Sequence, residues 1–367
     1  MMEWYHISNI GQYDTPAVLF YPERISANID RLIASIDDVQ RLRVHVKTFK
    51  TLEIAQLMLN SGIRKFKCAT IAEAEMMAMA GAPDVLLAYQ PVGPKVARLA
   101  ALAEAFPDTS FSCLVDNEDS AIAIGAHFPA SNPIAVYLDL NVGMNRTGIV
   151  PGPAALELYG MLRQVQGLVP VGLHAYDGHI HEEDLQIRTE VTNAAFAPVA
   201  ALAADIEAQG MPAPVIVAGG TPTFPIHAKR KGIECSPGTF VCWDMGYKRN
   251  FPEQQFDFAA LLAGRVISQV NDELITIDIG HKSVAAEMPL PRIYFLNAAD
   301  AEPVSQSEEH LVCKVKDAAQ YPVGTVLYGV PHHICPTIAD HNEGLVVAEH
   351  TITDSWAIVA RNRRITI

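Results

Sequence analysis

The chain has 367 residues, half of them hydrophobic, and a formal net charge of −14. That length suggests two domains and enough apolar side chain for a large core, while the charge argues against a nucleic-acid backbone or an anionic membrane surface as partner. No apolar run approaches the roughly 20 residues that a bilayer-spanning helix needs.

The N-terminal residues lack a basic segment followed by an apolar one. The six cysteines stand apart without paired metal spacing. Both features lead us to expect a reduced, cytoplasmic protein.

Ala17 to Tyr21 reads as a strand before Pro22, and Ser26 as the cap of a helix running to Ile36. Arg43 to Lys47 alternates polar and β-branched residues, the pattern of a short strand. Thr48 follows as a cap for a helix over Leu52 to Leu59. Lys47 therefore stands at a strand's carboxyl end, its stem against apolar neighbours and its amine toward a cleft, a setting suited to Schiff-base chemistry.

Strand-like and helix-like segments then alternate. The strands are Lys65 to Ala69, Val85 to Tyr89, Phe111 to Val115, Ile134 to Leu140, Val169 to Ala175, Val215 to Ala218 and Ile233 to Ser236. Between them lie helical patterns over Ile71 to Met79, Lys95 to Ala105, Ser120 to His127, Ala154 to Val165, Leu185 to Ala208 and Phe224 to Arg230. With the strand at Lys47 this makes about eight βα units, the α/β arrangement of a TIM barrel. A doubly wound open sheet is the rival, but no glycine-rich dinucleotide turn follows the first strand. Polar or glycine residues close the strands, at Lys47, Thr70, Gln90, Asp139, His174, Gly219 and Ser236, as expected where a barrel gathers its chemistry.

From Phe256 the pattern changes to strands with short turns: Leu261 to Val270, Leu274 to Ile279, Val312 to Val315, Val326 to Val330, Leu345 to His350 and Ser355 to Arg361. These predict a C-terminal all-β domain that also pairs with Ala17 to Tyr21. The expected division is a barrel over 22–250 and a β domain over 251–367 with 1–21.

Several constellations carry chemistry. Gly219-Gly220-Thr221-Pro222 follows a strand and precedes a helix, and Ser236-Pro237-Gly238-Thr239 ends the next strand. Paired glycine turns let backbone amides approach a phosphate, usually at the last two strands of such a barrel. Arg146 lies in a glycine-flanked loop where it can bond an anionic oxygen or pair with Asp139. His174 and Tyr176 put an imidazole and a phenol at another strand end, for proton transfer and for contact with a flat ligand. His179 and His181 read as loop residues.

In an extended segment, His333 and Cys335 point to the same side. Imidazole plus thiolate suits zinc, but two ligands fall short of a closed tetrahedron. Glu308-Glu309-His310 is a second polar cluster that can approach the same place.

Together these motifs resemble the fold-type III pyridoxal-phosphate enzymes with an alanine-racemase-like barrel, in the branch that holds D-threonine aldolase and the D-serine and D-threo-3-hydroxyaspartate dehydratases. The resemblance is carried by HVKTFK at Lys47, KCATIAEAE from Lys67, DVLLAYQP from Asp84, GMNRTG at Arg146, GLHAYDGH from Gly172, AGGTPT at Gly219, SPGTF from Ser236, SEEH from Ser307 and HHICPT at His333.

It implies a pyridoxal 5'-phosphate Schiff base at Lys47, with Arg146 on the phenolic oxygen and Tyr176 against the ring. Gly219, Gly220, Thr221, Gly238 and Thr239 would hold the phosphate. It further implies a divalent metal on His333 and Cys335 beside the substrate's β-hydroxyl, zinc rather than manganese or magnesium, and a head-to-tail homodimer. Two positions depart from the family pattern: Phe49 stands where members often carry a histidine, and Cys335 where the aldolases tend to place an aspartate, a cysteine being the dehydratases' choice.

The expected activity is a lyase acting on D-3-hydroxy-amino acids, either dehydratase or aldolase, with Lys47 and His174 as catalytic residues. Cys335 favours dehydration. A metal-free amino-acid racemase using two bases is the alternative. A non-enzymatic cofactor-binding protein would ordinarily lack the β domain.

Overall fold

Strand β1 (Ala17–Phe20) and helix α1 (Pro22–Ala34) open the chain in a computed structural model that describes residues 2–367. Proline suits a first helical turn, so α1 starts at Pro22, and Ser26 lies inside it rather than capping it. Strand β2 (Arg43–His45) is shorter than expected and runs into a 3-10 turn, Val46–Thr48, that carries Lys47. Helix α2 (Leu52–Asn60) is capped by Thr51, whose Oγ1 accepts the Ile54 N–H at 3.4 Å. Thr48 is engaged elsewhere and is not the cap.

The βα alternation continues through β3 (Lys65–Cys68), α3 (Ile71–Met79), β4 (Asp84–Leu87), α4 (Pro94–Ala105), β5 (Ser110–Val115) and α5 (Glu118–Gly125). It ends with β6 (Ile134–Asp139), α6 (Pro153–Leu162), β7 (Leu168–Ala175), α7 (Leu185–Ala208), β8 (Val215–Ala218), α8 (Phe224–His227) and β9 (Ile233–Cys235). Local chemistry sets the helix starts. Thr70, Asn117 and Asp184 accept backbone N–H groups of the first turns of α3, α5 and α7, and Gly-Pro pairs open α4 and α6.

Strands β2 to β9 form one eight-stranded parallel sheet in chain order. A parallel bridge between Leu42 and Cys235 and the His45 N–H on the Pro237 carbonyl at 3.0 Å bring the last strand back to the first. The sheet is a closing barrel, which excludes the open-sheet rival. Leu86, Leu114, Tyr137 and Val217 pack together as a buried cluster. Arg43 is buried in an ion-pair group with Asp84 and Glu234, at 2.6 Å each, and Lys65 also pairs with Glu234. These pairs tie β2, β3, β4 and β9 together.

Beyond α9 (Met245–Asn250) the chain is mostly strand: β10 (Ala260–Asn271), β11 (Leu274–Ile277), β12 (Ile293–Phe295), β13 (Glu302–Gln306), β14 (Leu311–Lys314) and β15 (Val326–Pro331). A six-residue helix, α10 (Ile334–Ala339), precedes β16 (Glu343–Ala348) and β17 (Thr351–Ala357). The sheet runs β13-β14-β11-β10-β1-β16-β17, with β15 on β10 and β12 on β15. Strand β1 is antiparallel to β10 and parallel to β16, so the N-terminal strand belongs to this sheet. Its core joins Leu19 and Tyr21 to Leu261, Tyr328, Val347 and Ile352.

By compactness the chain divides into Met1–Arg31, Thr48–Ile54 and Thr239–Arg361 as one unit, and Leu32–Lys47, Ala55–Gly238 and Asn362–Ile367 as the other. Among the described residues no helix is long and apolar enough to cross a membrane.

Candidate active site

A cleft of about 590 Å³ in the barrel unit is lined by His45, Lys47, Lys67, Arg146, His174 and Tyr176, among others. The residues come from the ends of β2, β3 and β7 and from the loop after β6. Lys47 sits in the turn after β2, and its backbone N–H meets His45 Nδ1 at 3.3 Å. The Arg146 guanidinium lies 4.9 Å from the Tyr176 ring centroid and Lys67 Nζ 5.4 Å from it. Asp139 pairs with His174 rather than with Arg146.

Behind the cleft runs a chain of polar contacts. Asp139 Oδ1 meets His174 Nδ1 at 2.8 Å, and Gln90 Nε2 donates to Asp139 Oδ2 at 2.8 Å and to Asp116 Oδ2 at 2.9 Å. Burial pushes the Asp139 carboxyl up, but hydrogen bonds from His174, Thr147 and Gln90 outweigh it and hold it below the usual range. An ionised carboxylate only accepts, so His174 carries its proton on Nδ1 and turns a lone pair on Nε2 toward Lys67 Nζ, 3.5 Å away. Burial pushes the His174 imidazole down, only partly offset by Asp139. Lys67, which the motif reading passed over, is drawn down to about 7 by burial and by the neighbouring Lys47.

The two glycine turns stand at the ends of β8 and β9. Gly219 has φ +76°, and a Cβ there would lie 2.7 Å from His227 Cδ2 and Thr223 Oγ1. The Gly220 N–H donates to Thr223 Oγ1 at 3.2 Å, and that hydroxyl donates to Asp177 Oδ1 at 2.8 Å. His227 Nε2 meets the other Asp177 oxygen at 2.9 Å. The Gly238 N–H donates to Thr221 Oγ1 at 3.1 Å, and a Cβ on Gly238 would lie 2.8 Å from the His45 carbonyl oxygen.

Both turns are closed to a side chain, which at Gly219 or Gly238 would collide with His227, Thr223 or the His45 carbonyl, and the backbone N–H groups and threonine hydroxyls that meet there are the donor types of a phosphate cradle. The following helix, α8, is a single turn and stops short of the expected Arg230. The cradle thus owes little to a helix dipole and rests on backbone and hydroxyl groups. Gly220 also borders the Tyr176 ring, which a Cβ there would approach to 3.2 Å.

His333 and Cys335 are not on one extended segment. His333 is extended, with φ −130° and ψ 104°, and caps α10, whose first turn holds Cys335. The helix begins there because Asp244 Oδ2 accepts the Ile334 N–H at 3.1 Å. Cys335 Sγ lies 3.1 Å from Thr48 Oγ1 and 3.7 Å from Thr239 Oγ1. The Cys335 and His333 side chains hydrogen-bond to each other, and His333 Nδ1 meets Glu287 Oε1 at 2.5 Å.

Among the described residues no group of three His, Cys, Asp or Glu side chains is placed to hold a metal. The imidazole and thiol are nonetheless a donor pair that fits a soft divalent cation with open positions. Glu308 and Glu309 do not enter this group; they pair with Lys282 on the surface, and the carboxylate on His333 is Glu287. His181 is exposed, whereas His179 packs against the Gly143 backbone, and neither lines the cleft. Glu287 and Asp177 left no local signal, because each meets its partner from more than 40 positions away; Asp244 caps α9 locally at Tyr247, but its bond to Ile334 spans 90 positions.

A family model described as the alanine racemase N-terminal domain matches residues 22–242, and one described as a putative serine dehydratase domain matches residues 259–347. The chain is 30% identical to a D-threonine aldolase of Arthrobacter sp. over 365 residues, 96% of this chain and 94% of that one. It is 24% identical to the D-threo-3-hydroxyaspartate dehydratase of Delftia sp. over 371 residues, covering 94% and 96%.

A solved D-threonine aldolase from Filomicrobium marinum superposes with a TM-score of 0.87 at 26% identity, over 96% of each chain. A D-threo-3-hydroxyaspartate dehydratase cysteine mutant, solved in the metal-free form, shares the fold with a TM-score of 0.83 at 21% identity, over 95% and 98%. A nearly closed barrel, a lysine-bearing cleft and matches that run nearly end to end lead to one conclusion: the chain belongs to the alanine-racemase-like, pyridoxal-phosphate-dependent lyases of the D-threonine aldolase and D-serine dehydratase type.

Proposed function

We propose that the protein is a lyase for D-3-hydroxy-amino acids that works with pyridoxal phosphate at Lys47 and a divalent cation at His333 and Cys335. The observation that carries this reading is the meeting of Lys47, Arg146, His174 and Tyr176 on one cleft. When bound, pyridoxal phosphate supplies an aldehyde that condenses with amines and a ring that takes up the electrons of a breaking bond at Cα. Lys47 is the amine that holds it. Arg146 donates to the phenolic oxygen, and Tyr176 lies against the ring. Gly219, Gly220, Thr221, Gly238 and Thr239 surround the phosphate.

His174, oriented by Asp139 through Nδ1, presents an unprotonated Nε2 to the cleft side of the network. Cys335 and His333 would hold the cation, and Glu287, bonded to His333 Nδ1, would leave Nε2 as the imidazole's donor atom. A cation there lends Lewis acidity to a hydroxyl. A thiolate ligand favours zinc. A homodimer belongs to the same reading and is checked by sedimentation.

Incubation of the cofactor-loaded protein with D-threonine, D-serine and D-threo-3-hydroxyaspartate tests the reading. Glycine plus aldehyde marks an aldolase; keto acid plus ammonia marks a dehydratase, the outcome that Cys335 favours. Lys47→Ala is expected to lose both turnover and the visible absorbance of the bound cofactor. Turnover that survives Lys47→Ala, or racemisation as the sole activity, overturns the proposal.

A further inference from the structure

One cation in the cleft has no task in the reaction as described. Lys67 is only 2% exposed, yet it lines the cleft beside Lys47 and Arg146. Its polar contact is His174 Nε2, at 3.5 Å, which is long, and its other neighbour is the face of Tyr176. No carboxylate among the described residues forms an ion pair with it. The two nearest in charge, Asp139 and Asp177, are spent on other partners: Asp139 on His174 and Gln90, Asp177 on Thr223 and His227. His174 cannot neutralise it, because a neutral imidazole offers one lone pair and no charge. The remaining charged neighbours, Lys47 and Arg43, are cations that repel it.

A buried ammonium without a counter-ion is costly, and a methionine would fill the same space without that cost. Its position in the cleft wall points to an anion delivered by the ligand. The cradle at Gly219 and Gly238 accounts for the cofactor's phosphate and Arg146 for its phenolic oxygen, which leaves the carboxylates of the amino acid.

We propose that Lys67 receives a carboxylate of the bound amino acid and thereby sets substrate preference. This rests on the assignment of an amino-acid substrate to the cleft. The carboxylate has two possible sources: the α-carboxylate common to all amino acids, and the side-chain carboxylate of a substrate such as 3-hydroxyaspartate.

The test compares cofactor-loaded wild type with Lys67→Met and Lys67→Gln. Measured are KM for D-threonine and D-threo-3-hydroxyaspartate, and the affinity for succinate, an unreactive dicarboxylate, by calorimetry. A charge-assisted hydrogen bond predicts a loss of about tenfold to a hundredfold.

If only the hydroxyaspartate KM rises, so that the ratio of the two KM values shifts by that factor, Lys67 reads the side chain. If both rise together, it holds the α-carboxylate. Succinate affinity falls in either case. Unchanged KM values with unchanged succinate affinity, or a loss confined to cofactor affinity, overturn the proposal. Wild-type protein that turns over neither substrate refutes the lyase reading instead, while the succinate measurement still decides the role of Lys67.

Discussion

Glu287 holds His333 by Nδ1, at 2.5 Å, from 46 residues away in the chain. Such a carboxylate fixes the tautomer and the ring orientation of a metal-binding histidine and raises its basicity. Glu287→Gln keeps the shape and removes the charge. It is expected to weaken zinc affinity about tenfold to a hundredfold, the usual effect of losing this kind of partner. Competition with a calibrated chelator measures it directly. An affinity equal to wild type would show that the contact is only a surface pair.

Lys67 makes a second prediction, about stability. In the folded chain its ammonium gives up its proton near 7, whereas an unfolded lysine keeps it to about 10.5. Between those two values folding expels a proton, and below about pH 7 it buries the ammonium with its proton still on. The penalty is full below about pH 7, fades as pH rises toward 10.5 and is absent above it. Lys67→Met removes the penalty. Its thermal midpoint is expected to exceed wild type by the most near pH 6 and to converge on it near pH 10. Calorimetry of the cofactor-free protein at the two pH values checks this; a gain that is independent of pH would mean that packing, not charge, is responsible.

At the glycine turn, Gly219→Ala places a methyl group where φ is +76° and where His227 and Thr223 already stand 2.7 Å away. Strain and overlap of this kind cost about 1–3 kcal/mol. The variant is expected to lose that much stability in denaturant and to release pyridoxal phosphate more readily on dialysis. Cofactor retention equal to wild type would remove this turn from the phosphate site.

Local chemistry made much of the barrel legible. Val215–Ala218 is a fully apolar run bounded by Pro214 and Gly219, and Ile71–Met79 and Leu185–Ala208 carry their own caps at Thr70 and Asp184. These elements read correctly because the signal and the structure lie within a few residues of each other. Strand β13, Glu302–Gln306, escaped notice because it is short, polar and largely exposed, and its partner β14 rather than its composition makes it a strand. Thr48 failed as a cap for a related reason: its hydroxyl is drawn to Cys335, 287 positions along the chain.

The order of residues by itself determined the succession of strands and helices, the lysine at a strand end and the glycine turns, since backbone preferences and side-chain periodicity act over a turn or two of chain. Tertiary structure alone decided which charges face each other. Asp139 was assigned to His174 instead of Arg146, Glu287 to His333 instead of Glu308 or Glu309, and Lys67 to a cleft wall without a counter-ion. Electrostatic pairing depends on distance in space, and only closure of the barrel and pairing of the β strands set those distances.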